Sequence, residues 1–154
     1  MAIHVSRQLT FEQALSRAAS LCSTSEHCIA DISEKLVRWG IVQADADKII
    51  DRLIDEKYID EARYATAYTR DKVRFSHWGK VKIGMMLRMQ HIPEKFIRAA
   101  FEDLDPKEYA EIAQQVVMSK AKDMDINDYT SRAKVIRFAL QRGFEMEDIE
   151  KILG

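Results

Sequence analysis

The chain has 154 residues, is 47% hydrophobic and 32% charged, and carries a formal charge of −1. That is enough apolar material for a buried core and too much for a disordered chain, and no apolar run reaches membrane-spanning length. Five Gly, two Pro and almost no alternating apolar–polar stretches point to an all-α fold.

The opening MAIHVSRQLT lacks the apolar segment of a secretory signal, and Cys22 and Cys28 make no disulfide framework. A cytoplasmic protein with free thiols is the expectation. Residues 1–9 read as a flexible lead-in. Thr10 with Gln13 then forms a capping box that opens a first helix to about Cys22. A second runs from about Ser25 to Trp39 and stops at Gly40, where a left-handed residue fits. The third, from about Asp45 to Asp55, places Ala46, Ile49, Ile50, Leu53 and Ile54 on one stripe.

Asp60 caps the fourth helix, with Ile59 and Tyr64 at the two staple positions, and the helix continues to about Ser76. Gly79 breaks the pattern, and a fifth follows to about Gln90. Pro93 is a good first residue for the sixth. Asp105 with Glu108 caps the seventh, with Pro106 at its first position. The eighth covers roughly Tyr129 to Arg142, and the ninth about Glu145 to Leu153.

Three helix ends look alike: KLVRWGI (35–41), MLRMQHI (86–92) and FALQRGF (138–144). Their anchors at 40, 91 and 143 are separated by 51 and 52 residues. A near-constant period implies repeated modules of three helices. The expected division is 10–59, 60–104 and 105–154, in an elongated, curved tandem array.

Charge is unevenly spread. From Arg63 to Arg98 there are nine Lys/Arg and two acids, a net of +7, so the remainder sums to −8. The stretch RDKVRFSHWGKVKI (70–83) sits at its centre. Arg63, Arg70 and Arg74 share a helical face. Lys80 and Lys82 follow Gly79 at a helix start, where cations oppose the dipole, which favours a role toward a partner. Arg88 lies about two turns further on. Lys134 and Arg137 form a second, smaller basic set on the eighth helix. An anionic partner is the expectation, through Arg63, Arg70, Lys72, Arg74, Lys80, Lys82, Arg88, Lys134 and Arg137. Trp78 and Phe75 could stack on bases, but aromatics beside a helix boundary more often pack between helices. Tyr64 and Tyr68 are expected in the core, as is the cluster Met85, Met86 and Met89.

No catalytic or cofactor constellation emerges. Cys22 and Cys28 with His27 lack zinc-site spacing and a second ligand pair, and there is no Walker-type loop. A non-enzymatic binding protein without metal or cofactor is the reading.

Several motifs resemble the RecX family, regulators of the bacterial RecA recombinase, from about Leu15 to Leu153. They are EKLVRWGI, LIDEKYIDEARYATAYTRDKVR with WGKVKI, and RAKVIRFALQRGFEMEDIEKIL. The shared points are Gly40-Ile41, Tyr58-Ile59-Asp60, Gly79 and Arg142-Gly143-Phe144. His91 stands where the family usually has Gly, and Lys80 where Pro is common. The resemblance implies tandem three-helix repeats and a monomer that binds in the groove of the RecA filament on single-stranded DNA. It implies a modulator, usually an inhibitor, of filament extension, ATPase and strand exchange, acting in recombination and the SOS response. The alternatives are a helical-repeat protein that binds bare nucleic acid, single- or double-stranded, and a peptide-binding scaffold, which would not account for the basic middle.

Overall fold

A computed structural model describes residues 8–154 of the chain. Most of the expected flexible lead-in, residues 1–7, lies outside the described residues. Nine α-helices and no strands occur among the described residues: α1 (Phe11–Thr24), α2 (Ile29–Arg38), α3 (Gln43–Asp55), α4 (Glu61–Arg74), α5 (Lys80–Met89), α6 (Glu94–Asp103), α7 (Pro106–Ala121), α8 (Tyr129–Gln141) and α9 (Met146–Leu153). The protein is all-α and built from tandem three-helix repeats. It divides into two compact units, Met1–Tyr64 and Ala65–Gly154.

In the first unit, α3 packs against both α1 and α2. Ala14, Leu15, Ile32, Leu36, Ile49 and Leu53 supply its buried core. The capping box forms as expected: Thr10 accepts from the Gln13 N–H, and the Gln13 side chain accepts from the Thr10 N–H. Leu9 is not loose, because its N–H donates to the Trp39 carbonyl at 3.4 Å and it packs on the core. α2 starts four residues later than expected, with the buried Cys28 at its N-cap. The Ser25 hydroxyl turns to the His27 ring instead of capping that helix.

Asp60 caps α4 by accepting from the Arg63 N–H at 3.0 Å, and Ile59 and Tyr64 are both buried around that cap. In the second unit α5 packs on α6, while α7 packs on α8 and α9. Ile83, Leu87, Ile97, Val117, Val135, Phe144 and Ile149 are buried there. Pro93 is the N-cap of α6 and not its first residue. Asp105 caps α7 through the Lys107 N–H, and Glu108 does not close a box but turns outward to Arg74.

The repeated helix ends share one hydrogen-bond pattern. The residue after each anchor donates back to the carbonyl five residues earlier: Ile41 to Leu36, Ile92 to Leu87 and Phe144 to Ala139. The anchors themselves donate to Val37, Arg88 and Leu140. This pair of hydrogen bonds satisfies the last carbonyls of a helix and requires a left-handed residue. Gly40 (φ +78°), His91 (φ +60°) and Gly143 (φ +97°) all supply it. His91 does so against the steric cost of its Cβ, which is modest for a single residue.

Two glycines also meet each other. The Gly79 N–H donates to the Arg142 carbonyl at 2.7 Å, and the Val81 N–H to that of Gly143 at 3.0 Å. A Cβ on Gly79 would lie 2.3 Å from the Gly143 carbonyl, and one on Gly143 would lie 2.4 Å from the Lys82 Cβ. The start of α5 and the end of α8 are therefore joined backbone to backbone.

Candidate nucleic-acid interface

The basic stretch is organised by carboxylates that lie far from it in sequence. Arg70, on the exposed side of α4, donates to Asp103 at 2.9 Å through Nε. One turn later Arg74 grips both oxygens of Glu108, at 2.7 and 3.3 Å. Arg88, near the end of α5, grips both oxygens of Glu94. That bond holds the Glu94 carboxyl below its ordinary range and raises the Arg88 guanidinium. Arg63 is committed further still: it donates to Glu26 and to the carbonyls of Lys57 and Tyr58, which close α3. The four arginines are thus neutralised within the chain. The three outward pairs of α4 and α5 are well exposed, and such pairs contribute little net stability and exchange readily.

The lysines differ. Lys72 and Lys82 hold their ammoniums over one indole, that of Trp78, at 4.6 and 4.3 Å from the ring centre. Lys72 also lies over Tyr68, and Lys80 over Tyr109 at 4.7 Å. No ion pair to any of the three occurs among the described residues. Cation–π contact offsets the unfavourable dipole at the start of α5 and leaves the charge itself unneutralised. The Tyr109 hydroxyl accepts from the Lys80 N–H at 3.0 Å, and burial pushes this phenol up to about 12.

The aromatics do not all pack as expected. Trp78 is half-buried under its two lysines, Tyr64 is buried and Tyr68 half-buried. Phe75 is 80% exposed and holds nothing together. The methionines are also not core: Met85 and Met89 are exposed, and Met86 is half-buried. Met85 and Met89 follow α5 on the side turned away from Ile83 and Leu87, which fill the core instead, and Met86 lies on the flank between.

On α8, Lys134 and Arg137 are exposed, with no ion pair among the described residues. Arg137 borders an open, mostly apolar groove of about 510 Å³ with Tyr129, Ile136, Leu140 and Met146. A second concavity, of about 320 Å³, is lined by His77, Gln115, Ser119, Lys120, Phe138 and Arg142. Lys120 and Arg142 both lie over the Phe138 ring, at 5.1 and 5.0 Å. Sequence reasoning misses Gln115, Ser119, Lys120 and Phe138, because no charge run or spacing marks them. Only the fold brings α7 beside α8.

Among the described residues no three His, Cys, Asp or Glu side chains cluster as metal ligands, and no helix is long and apolar enough to cross a membrane. Cys28 is buried, which pushes its thiol up to about 11, so it is a poor nucleophile at neutral pH.

Comparison with known proteins finds relatives over most of the chain. Residues 60–100 match the second three-helix domain of RecX, and residues 107–153 match the third. The regulatory protein RecX of Vibrio campbellii is 29% identical over 137 residues, covering 89% of this chain and 87% of its own length. A crystal structure of the regulatory protein RecX superposes with a TM-score of 0.82 at 24% identity, over 92% of this chain and 72% of that one. That of RecX from Lactobacillus salivarius gives 0.80 at 22% identity, over 93% of this chain and 94% of its own. Those two likenesses speak for the fold. The matched domains, together with the Tyr58-Ile59-Asp60, Gly79 and Arg142-Gly143-Phe144 motifs they contain or adjoin, place this chain in the RecX family of regulatory proteins.

Proposed function

We propose that the protein binds in the groove of a RecA filament on single-stranded DNA and limits filament extension, with the linked ATPase and strand exchange. The observation that carries this reading is the set Lys72 and Lys82 over Trp78 and Lys80 over Tyr109, whose charge no carboxylate among the described residues neutralises, in a chain of the RecX family. Lys134 and Arg137 extend the contact set. Arg70, Arg74 and Arg88 join it by exchanging their own carboxylates for phosphates or for acidic groups of the recombinase. Arg63, tied to three acceptors, serves the fold first.

Repeated modules (10–59, 60–104 and 105–154) would make their contacts additive, so that the bound protein leaves slowly although each contact is weak. Occupying the groove would exclude a second duplex and hinder protomer addition. The protein acts as a monomer in this reading, without cofactor or catalysis.

Binding of bare nucleic acid is the second reading. The exposed Phe75, beside the lysine-covered Trp78, favours it, since unpaired bases stack on such rings. A salt titration separates the two. Binding is measured to bare single-stranded DNA and to the same DNA coated with recombinase and a non-hydrolysable nucleotide. Much tighter binding to the coated DNA supports the filament regulator. Equal or weaker binding there, with a steep salt slope on bare DNA, sinks it and leaves a general nucleic-acid binder.

A further inference from the structure

We infer that the concavity between the α4–α5 turn, α7 and α8 is a phosphate site, and that the phosphate it takes belongs to a nucleic-acid strand. This goes beyond the filament reading and needs no recombinase.

The lining is rich in hydrogen-bond donors. His77, Gln115, Ser119, Lys120 and Arg142 border the space, and no carboxylate among the described residues does. Lys120, in the last turn of α7, and Arg142, at the end of α8, reach the same Phe138 ring from different helices. Both also line the concavity, so an anion held there meets two positive charges at once. Neither cation has an ion pair among the described residues, whereas Arg70, Arg74 and Arg88 each have one. The Arg142 guanidinium is steadied instead by the neutral Ser76 carbonyl at 3.4 Å, which orients it without cancelling its charge.

The backbone supports the same reading. His77 sits at φ +55°, a conformation that side chains with a Cβ rarely adopt, and the Trp78 N–H bond to the Lys72 carbonyl holds the turn there. The same helix-end conformation occurs at His91, and here it fixes the turn from which the His77 side chain borders the space. The concavity's 320 Å³ is at the small end for ligand sites and suits a phosphate with its sugar. A strand fits better than an acidic peptide because Phe75, two residues before His77, is a freely exposed ring for a neighbouring base.

The test uses the full chain and a fluorescent twelve-residue oligothymidylate, with no recombinase, across a salt series. Lys120→Ala is expected to weaken binding about tenfold, the effect of removing one charge-assisted hydrogen bond. It should also flatten the logarithmic salt slope by about 0.7. Ser119→Ala, a milder change, should weaken binding a few-fold at unchanged slope. Lys122→Ala, an exposed lysine that does not line the site, should bind as wild type. If Lys120→Ala matches Lys122→Ala in affinity and slope, the site is wrong. Amide resonances of His77, Ser119 and Lys120 give the source. Movement saturated by inorganic phosphate alone, or an equal response to a glutamate-rich peptide, overturns the assignment to nucleic acid. Loss of filament binding in Lys72→Glu/Lys82→Glu, with oligothymidylate binding intact, bears on the filament reading and leaves this site standing.

Discussion

The arginines of α4 and α5 and the concavity around Phe138 are both basic, yet they present opposite surfaces to a partner. Arg70, Arg74 and Arg88 hold carboxylates of their own, while among the described residues Lys120 and Arg142 hold an aromatic ring and, for Arg142, a carbonyl. The first region is conspicuous in the sequence and nearly neutral in the fold. The second is inconspicuous in the sequence and unneutralised in the fold. Positive charge along a chain is thus a poor guide to positive charge on a surface until its partners are known.

That contrast can be attacked at its foundation. Gly79→Ala puts a methyl 2.3 Å from the Gly143 carbonyl, so the joint that carries His77 and Arg142 to the same place has to open. A loss of about 3 kcal/mol of stability is expected in chemical denaturation, with weakened oligothymidylate binding. Wild-type stability would show that the joint yields cheaply.

Paired and unpaired cations should next separate in filament binding. Lys72→Glu with Lys82→Glu is expected to weaken it about a hundredfold, because two charge-assisted hydrogen bonds to the partner disappear at once. Arg70→Ala with Arg74→Ala should cost only a few-fold, because their carboxylates are released with them. Equal effects of the two double variants would erase the distinction.

A third, smaller effect concerns alkali. The Tyr109 phenol stays protonated to about 12 when folded but ionises near its ordinary value of about 10 when unfolded. Its contribution to stability is therefore complete below about pH 10 and is lost as pH rises toward about 12. Tyr109→Phe should flatten the stability–pH curve in that window, at some cost below it from the orphaned Lys80 N–H. An unchanged curve would refute the assignment.

The smallest effect lies one residue before Arg70. Thr69 is fully buried, and its hydroxyl has no hydrogen-bond partner among the described residues. Thr69→Val keeps the shape and removes the desolvated hydroxyl, so a gain of about 1 kcal/mol is expected by thermal unfolding. A loss would reveal a partner for that hydroxyl.

The helices are legible in the sequence because their signals are local. Thr10 and Gln13, Asp60 with its flanking Ile59 and Tyr64, and the Gly- or His-plus-apolar helix ends all act within six residues. A local signal misleads where it has a rival. Ser25 has the right chemistry for a cap but bonds His27, and Glu108 has the right spacing for a box but bonds Arg74. The basic site is legible only in part, since Arg70 and Asp103 are 33 residues apart and Arg74 and Glu108 are 34 apart. No short window along the chain contains both members of either pair. Phe75 and the α5 methionines mislead for a related reason: apolarity alone does not say which face of a helix finds a neighbour.

The meeting of Gly79 with Gly143 has a further consequence, for how such a sequence can drift. Most core contacts tolerate change because a gain of volume on one side can be met by a reduction on the other. At this joint each partner has already been reduced to hydrogen, so neither can shrink to admit a side chain on the other.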